Sequence, residues 1–261
     1  MKKNLADTCL SSIAAHLESG KVTSSLLARL ARDPRAGVAP LLARFNKRRE
    51  QHQRLLAHLE RLLELERDQW QRGARHVAGV DEAGMGPLAG PVVAAAVILD
   101  RDTIPLGIDD SKKLDEKTRS RLAAEIRASA VAVSVGVGDL GEIDSLNIYH
   151  AALLAMRRAV EGLGQRPCHV LVDARRIPGI AVDQSAWIKG DERSVSIAAA
   201  SIIAKTTRDA LMDELDGQYP GYGFSRHKGY ATEEHRDAIK RLGPSPVHRM
   251  SYSAVRELIG R

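Results

Sequence analysis

Residues 76–99, HVAGVDEAGMGPLAGPVVAAAVIL, limit the fold more than any other stretch. An apolar run reaches Asp81 and Glu82, breaks at Gly84 and Gly86, and resumes as a second apolar run. Both runs are short, rich in Val and bounded by glycine, which predicts two strands. Charged groups are costly to bury unless paired or bound to a metal. Two adjacent carboxylates at the lip of a buried strand must therefore be solvated or met by something positive.

The strand pattern continues downstream. AVAVSVGVG near 130–138, HVLVDA at 169–174 and AWIKGD, ending at Asp191, read as further strands. Helical spacing fills the gaps in DEKTRSRLAAEIRA, SLNIYHAALLAMRRAVEGL and the small-residue run RSVSIAAASIIAKTTRDALMDEL. A sheet with helices alongside is the natural solution, so the fold class is α/β. The Ala-rich helix is expected to pack close to the sheet. Residues 1 to about 70 read as helical instead. Thr23 or Ser24 is a candidate cap, and a long run opens near Pro40.

Side chains alternate along a strand, so Val77, Gly79 and Asp81 face one way and Val80 and Glu82 the other. At the strand end Glu82 can turn toward an ion that Asp81 also touches. Gly84 and Gly86 remove side chains where a ligand's backbone approaches. Asp173 closes the fourth strand, and Asp191 precedes a helix. Each alone also fits a turn or cap role. Together they suggest one cluster of four carboxylates that repel one another until a cation enters. Hard oxygen ligands without Cys or His point to Mg²⁺ or Mn²⁺, and a pair of such ions suits phosphoryl chemistry.

Charge placement adds a polyanion. The formal net charge is +6, yet residues 1–75 hold 15 Lys/Arg against 8 Asp/Glu, so the excess is N-terminal. A basic segment suits nucleic acid, although an ordinary solvated helical face fits it equally. Two isolated cysteines, Cys9 and Cys168, give neither a disulfide framework nor a zinc pattern. That usage suits a reducing, cytoplasmic setting. No signal peptide is read, and no apolar run approaches membrane-spanning length, so no membrane partner is expected.

AGVDEAGMGPLAGPVVAAAVIL, IDDSKKL, IDSLNI, VDA, IKGDERSVSIAAASIIAKTTRD and YPGYGFSRHKGYATEEHRDAIKRLGPSPVHR follow one another from about residue 76 to 249. In this order they resemble type 2 ribonuclease H, the bacterial ribonuclease HII family. The N-terminal part is similar to the longer forms with a helical extension. The resemblance implies a ribonuclease H-like mixed sheet flanked by helices. It implies a basic extension over 1–72, a catalytic domain over 73–225 and a small helical part over 226–261 that completes the substrate cleft. It implies that Asp81, Glu82, Asp173 and Asp191 are both the catalytic and the metal residues. Asp81 would bridge two ions, with Glu82 and Asp173 on one and Asp191 on the other.

The implied reaction is hydrolysis of the RNA strand in RNA–DNA hybrids and incision 5′ to ribonucleotides embedded in duplex DNA, leaving 3′-hydroxyl and 5′-phosphate ends. The partners are then such hybrids and duplexes, bound by a monomer. Telling ribose from deoxyribose requires contact with the 2′-hydroxyl. The family does this with backbone groups of a Gly-Arg-Gly turn, here Gly84, Met85 and Gly86. Met85 removes a cation, so weaker binding or altered junction preference is expected. Tyr230 matches the tyrosine that stacks on a junction sugar, and its neighbours Arg226, His227 and Lys228 suggest a substrate-facing loop. Lys112 and Lys113 are candidate phosphate contacts. Ala174 stands where the family usually has glycine. An alternative is a hybrid-binding protein with reduced or altered catalysis, suggested by Met85. Another is a different metal-dependent nuclease or phosphatase on the same fold.

Overall fold

The computed structural model describes residues 9–19 and 22–260. The first eight residues of the expected extension, Gly20 and Lys21 within it, and Arg261 lie outside the described residues. The chain divides into two compact units, Met1–His58 and Leu59–Arg261.

The first unit is helical. It holds α1 (Leu10–Glu18), α2 (Ser24–Leu30) and most of α3 (Val38–Leu62). Thr23 caps α2 by accepting from the Leu26 N–H at 3.3 Å. Ile13, Leu17, Leu30 and Val38 form its small core.

The second unit begins with the end of α3 and with α4 (Glu64–Gln71), then enters the sheet. Its strands are β1 (Val77–Ala83), β2 (Val92–Ile98), β3 (Ala132–Gly138), β4 (His169–Asp173) and β5 (Gln184–Trp187). Between β2 and β3 lies α5 (Glu116–Ser129). Between β3 and β4 lie α6 (Leu140–Leu146) and α7 (Ile148–Glu161). After β5 come α8 (Val195–Gln218), α9 (Phe224–His227), α10 (Glu233–Leu242) and α11 (Ser253–Leu258). The strand order is β3-β2-β1-β4-β5. The pairs β1–β2 and β2–β3 are antiparallel, and β1–β4 and β4–β5 are parallel. The sheet is therefore mixed and flanked by helices, as expected.

Alternation sorts the core into two layers. Ala78, Val80, Val170 and Val172 face α7 with Ala152, Ala155 and Met156. Ala95 and Val97 face the other way, onto Ala198, Ala199 and Ile202 of α8. Gly79 shows why α8 carries small residues: a Cβ there would lie 2.0 Å from the Ser196 carbonyl carbon. A side chain at 79 would push the helix off the sheet. Buried Glu66 of α4 holds the start of α8, accepting from the Ser194 hydroxyl and, at 2.9 Å, from the Ser196 N–H.

Two local readings of the sequence shift. AWIKGD is not one strand: β5 ends at Trp187, because Lys189 turns left-handed at φ 56 and Asp191 then lies in a 3₁₀ turn, Gly190–Glu192. The helix expected from Ser145 onward is broken at Asn147. That residue has φ 70, and its side-chain oxygen caps α7 through the N–H groups of Tyr149 and His150.

Candidate active site

The parallel pairing of β1 with β4 sets the geometry. Val80 pairs with Val172, so the next residues, Asp81 and Asp173, leave neighbouring strands side by side. Adjacent strands are roughly 4.8 Å apart. Partners in register share a face, and both acids point to the α8 side with Gly79 and Leu171. Glu82 points to the α7 side, as alternation requires. The turn after β5 folds back to the same place: the Gly190 N–H donates to Asp173 Oδ1 at 2.7 Å. Asp191 follows directly. The four acids singled out in the sequence thus meet at one end of the sheet.

Their electrostatics agree. Burial, then the Glu82 charge, raise the Asp81 carboxyl well above the usual carboxylate range, with Asp173 adding to it. Hydrogen bonds from Ser201 and from the Glu82 N–H, the latter at 2.8 Å, oppose this. Burial also raises Glu82, against the pull of Arg175. Asp191 is raised by burial, then by Asp110 and Asp173. Buried Glu82 Oε2 has no hydrogen-bond partner. All donors are hard oxygens, the set that suits Mg²⁺ or Mn²⁺. Among the described residues, no group of three His, Cys, Asp or Glu side chains is already drawn together tightly enough to hold an ion. The donor set fits a hard divalent cation by charge and type.

The glycine turn lies at the edge of this cluster. Gly84 has φ 99, and a Cβ there would lie 2.2 Å from Arg208 Nε, so the packing of the turn requires this glycine. Gly86 is exposed, and the nearest atom to a Cβ there would be Tyr230 Cε1 at 3.9 Å. Tyr230 is 45% exposed, so it is a surface ring beside the turn and not a core residue. Met85 packs its side chain on the α7-side core.

The two lysines separate. Partial burial opposes charge on Lys112, but Asp110, Asp191, Asp81 and Asp173 outweigh it and hold the ammonium firmly protonated. Lys113 instead pairs with Glu192 at 3.3 Å and Asp109 at 3.8 Å. The expected basic loop beside Tyr230 is not free either. Arg226 pairs with Glu234, Lys228 pairs with Asp213, and His227 is buried with its Nε2 2.8 Å from the Tyr222 carbonyl.

Several residues of the site escaped the sequence reading. Arg249 is fully buried, donating to the carbonyls of Gly84 at 2.6 Å, Gly90 at 3.0 Å and Met85 at 3.2 Å. Tyr252 adds a hydroxyl to the Met85 carbonyl at 2.9 Å. Arg208 holds the carbonyls of Ala89, Pro91 and Lys228, and burial lowers it to about 10. Asp110 is an additional buried acid beside Asp191. The paired acids of IDDSKKL were its only signal in the sequence.

Comparison with known proteins agrees with this geometry. The ribonuclease HII family model matches residues 78–255, and the ribonuclease HII N-terminal domain matches residues 10–70. A ribonuclease HII of Myxococcus xanthus is 50% identical over 261 residues, covering 99% of this chain and 89% of that protein. One from Geobacillus kaustophilus is 50% identical over 230 residues, covering 88% of each. The crystal structure of ribonuclease H2 from Pyrococcus horikoshii superposes with a TM-score of 0.59 at 28% identity, covering 71% of this chain and 98% of that one. With half of its residues shared along nearly its whole length, and the family's sheet beneath its acids, the chain belongs to the ribonuclease HII family and is a type 2 ribonuclease H endonuclease.

Proposed function

We propose that this enzyme hydrolyses the RNA strand of RNA–DNA hybrids and incises duplex DNA 5′ to embedded ribonucleotides, leaving 3′-hydroxyl and 5′-phosphate ends. The observation that carries the reading is the side-by-side exit of Asp81 and Asp173 from parallel strands, with Glu82 and the Asp191 turn folded against them. Asp81, Glu82, Asp173 and Asp191 would hold two divalent ions, Mg²⁺ or Mn²⁺. When bound, such ions lower the pKa of the attacking water and stabilise the departing 3′ oxygen.

The protein's own groups do the rest. The glycine turn offers backbone atoms to the 2′-hydroxyl, the one group that separates ribose from deoxyribose. Arg249 and Tyr252 fix those atoms in advance by holding the carbonyls of Gly84 and Met85, so little ordering remains at binding. Tyr230 presents an exposed ring to the sugar beside Gly86. Lys112, kept charged by the acids, meets a phosphate; Lys113 contributes less because it is already paired. In this reading residues 73–225 supply catalysis, 226–261 complete the cleft, and the basic segment 1–72 binds duplex backbone. The protein acts as a monomer in the cytoplasm. Among the described residues no helix is long and apolar enough to cross a membrane.

Cleavage mapping on a duplex with a single ribose, with Mg²⁺ and with chelator, tests the reading. One cut on the 5′ side of the ribose, lost under chelation, is expected. Equal cutting of plain DNA, or cutting under chelation, would overturn it.

A further inference from the structure

Arg175 follows Asp173 by two residues and lies beside Glu82. Ala174 turns left-handed at φ 55, and the Arg175 N–H donates back to the Asp173 carbonyl at 2.6 Å. The chain thereby sends the Arg175 side chain sideways, over the end of β1. Its Nη1 lies 3.4 Å from Glu82 Oε1 and 4.0 Å from Met85 Sδ. Its guanidinium carbon sits 5.1 Å from the centre of the Tyr149 ring, which is itself 45% exposed.

The grip is loose. Charge-assisted bonds usually close to about 2.8 Å, and this one is 3.4 Å. Both side-chain contacts use the same nitrogen, and Nε and Nη2 make no hydrogen bond among the described residues. The side chain is 27% exposed. A partly exposed guanidinium near an aromatic ring, with donors left unused, is suited to a phosphate. Glu82 holds it near the site without satisfying it.

We propose that Arg175 contacts substrate: it supplies, from the end of β4, the phosphate-binding cation that position 85 lacks. It grips a backbone phosphate of the strand lying on the Gly84–Gly86 turn. Met85 is then the apolar floor beneath that cation. A second guanidinium at 85 would crowd and repel the first, so Met85→Arg alone brings no gain. The proposal rests on the nucleic-acid reading above.

A double-mutant cycle tests it with wild type, Arg175→Met, Met85→Arg and the double variant, all four acids left intact. Turnover is measured on the single-ribose duplex with Mg²⁺. Binding of the same labelled duplex is followed by anisotropy under chelation as salt is varied. Arg175→Met is expected to raise KM roughly tenfold while changing kcat less than about threefold. It should also flatten the slope of log affinity against log salt by about 0.9, the share of one phosphate. Arg175→Lys, which keeps the charge, should keep the slope. Met85→Arg should fall or stay level in the wild-type background and restore KM in the Arg175→Met background.

Unchanged KM and salt slope in Arg175→Met would overturn the proposal. So would a loss confined to kcat, which would make Arg175 a positioning residue for Glu82, or the same effect of Met85→Arg in both backgrounds. A wild type that neither binds nor cuts the duplex would sink the functional reading along with this one. A wild type that cuts normally beside an indifferent Arg175→Met sinks this one alone.

Discussion

At the ends of β1 and β4, buried Asp81 and Asp191 lie among further acids, and Glu82 has Arg175 at 3.4 Å. The other three acids of the cluster form no ion pair among the described residues. Behind the glycine turn, buried Arg208 and Arg249 are wrapped in backbone carbonyls, and His235 and His248 meet through their Nε2 atoms at 3.0 Å. Both regions bury ionisable groups, a step that costs free energy unless each group is matched. In the second region every group is matched by a neighbour, and the carbonyls of the turn are held by these bonds. In the first the mismatch is kept, as a site that awaits cations would require. The difference separates a supporting wall from a working site, although both lie within one domain-sized unit.

The largest expected effect lies on the acid side. Asp81→Asn or Asp173→Asn should lower kcat on the single-ribose duplex by at least about a thousandfold, since on the proposed mechanism each removes a metal ligand. The same Asp81→Asn should raise the melting temperature of the metal-free protein, because a buried, repelled charge is gone. Lost activity with lost stability would erase the contrast between the regions.

On the wall, Arg249→Ala should destabilise by roughly 3–5 kcal/mol, because the carbonyls of Gly84 and Gly90 lose their guanidinium donor and that of Met85 keeps only the Tyr252 hydroxyl. Denaturant unfolding reads this directly. Whatever enzyme remains folded should discriminate ribose from deoxyribose less well, because the turn is no longer fixed. A stability change within experimental error would show that the carbonyls are satisfied without it.

The two regions should also respond to pH in opposite senses. Raised carboxylates mean that the metal-free native state binds more protons than the unfolded chain above the ordinary carboxylate range. Stability therefore falls as pH rises through that window. Burial lowers His235 and His248 from 6.5 to about 4, so the native state binds fewer protons there. Stability from the histidines is present above 6.5 and is lost as pH falls toward about 4. Melting curves across this range should show two falling limbs, and Asp81→Asn should flatten only the alkaline one.

The smallest effect concerns Ala174, the left-handed residue between Asp173 and Arg175. Ala174→Gly should stabilise by about 1 kcal/mol by relieving that backbone strain. For a unit of this size that is roughly 2–4 °C in Tm. A loss of stability would mean that the methyl group packs usefully.

Much of the acid side was legible in the sequence because its signals are local. Strand periodicity ends at Asp81 and Asp173, and a glycine follows Glu82 after one residue. Asp191 was found too, although it sits in a 3₁₀ turn that strand periodicity does not describe. The wall was not legible. Arg208 lies in a helix and Arg249 in a polar tail, and both look like surface cations from their neighbours in sequence. Their partners at Pro91 and Gly84 are 117 and 165 residues away. Arg175 was hidden in the same way, since its contacts with Glu82 and Met85 exist only after β1 and β4 pair.

If the four acids bind divalent ions, the mismatch among them is what drives that binding. Calorimetric titration of Mg²⁺ and of Mn²⁺ into the full chain at mildly alkaline pH, beside Asp81→Asn and Asp173→Asn, tests it most directly. Saturable binding with proton release in the wild type, lost or sharply weakened in both variants, is predicted. Binding of equal strength in all three proteins would mean that the ions are held elsewhere and not by this cluster.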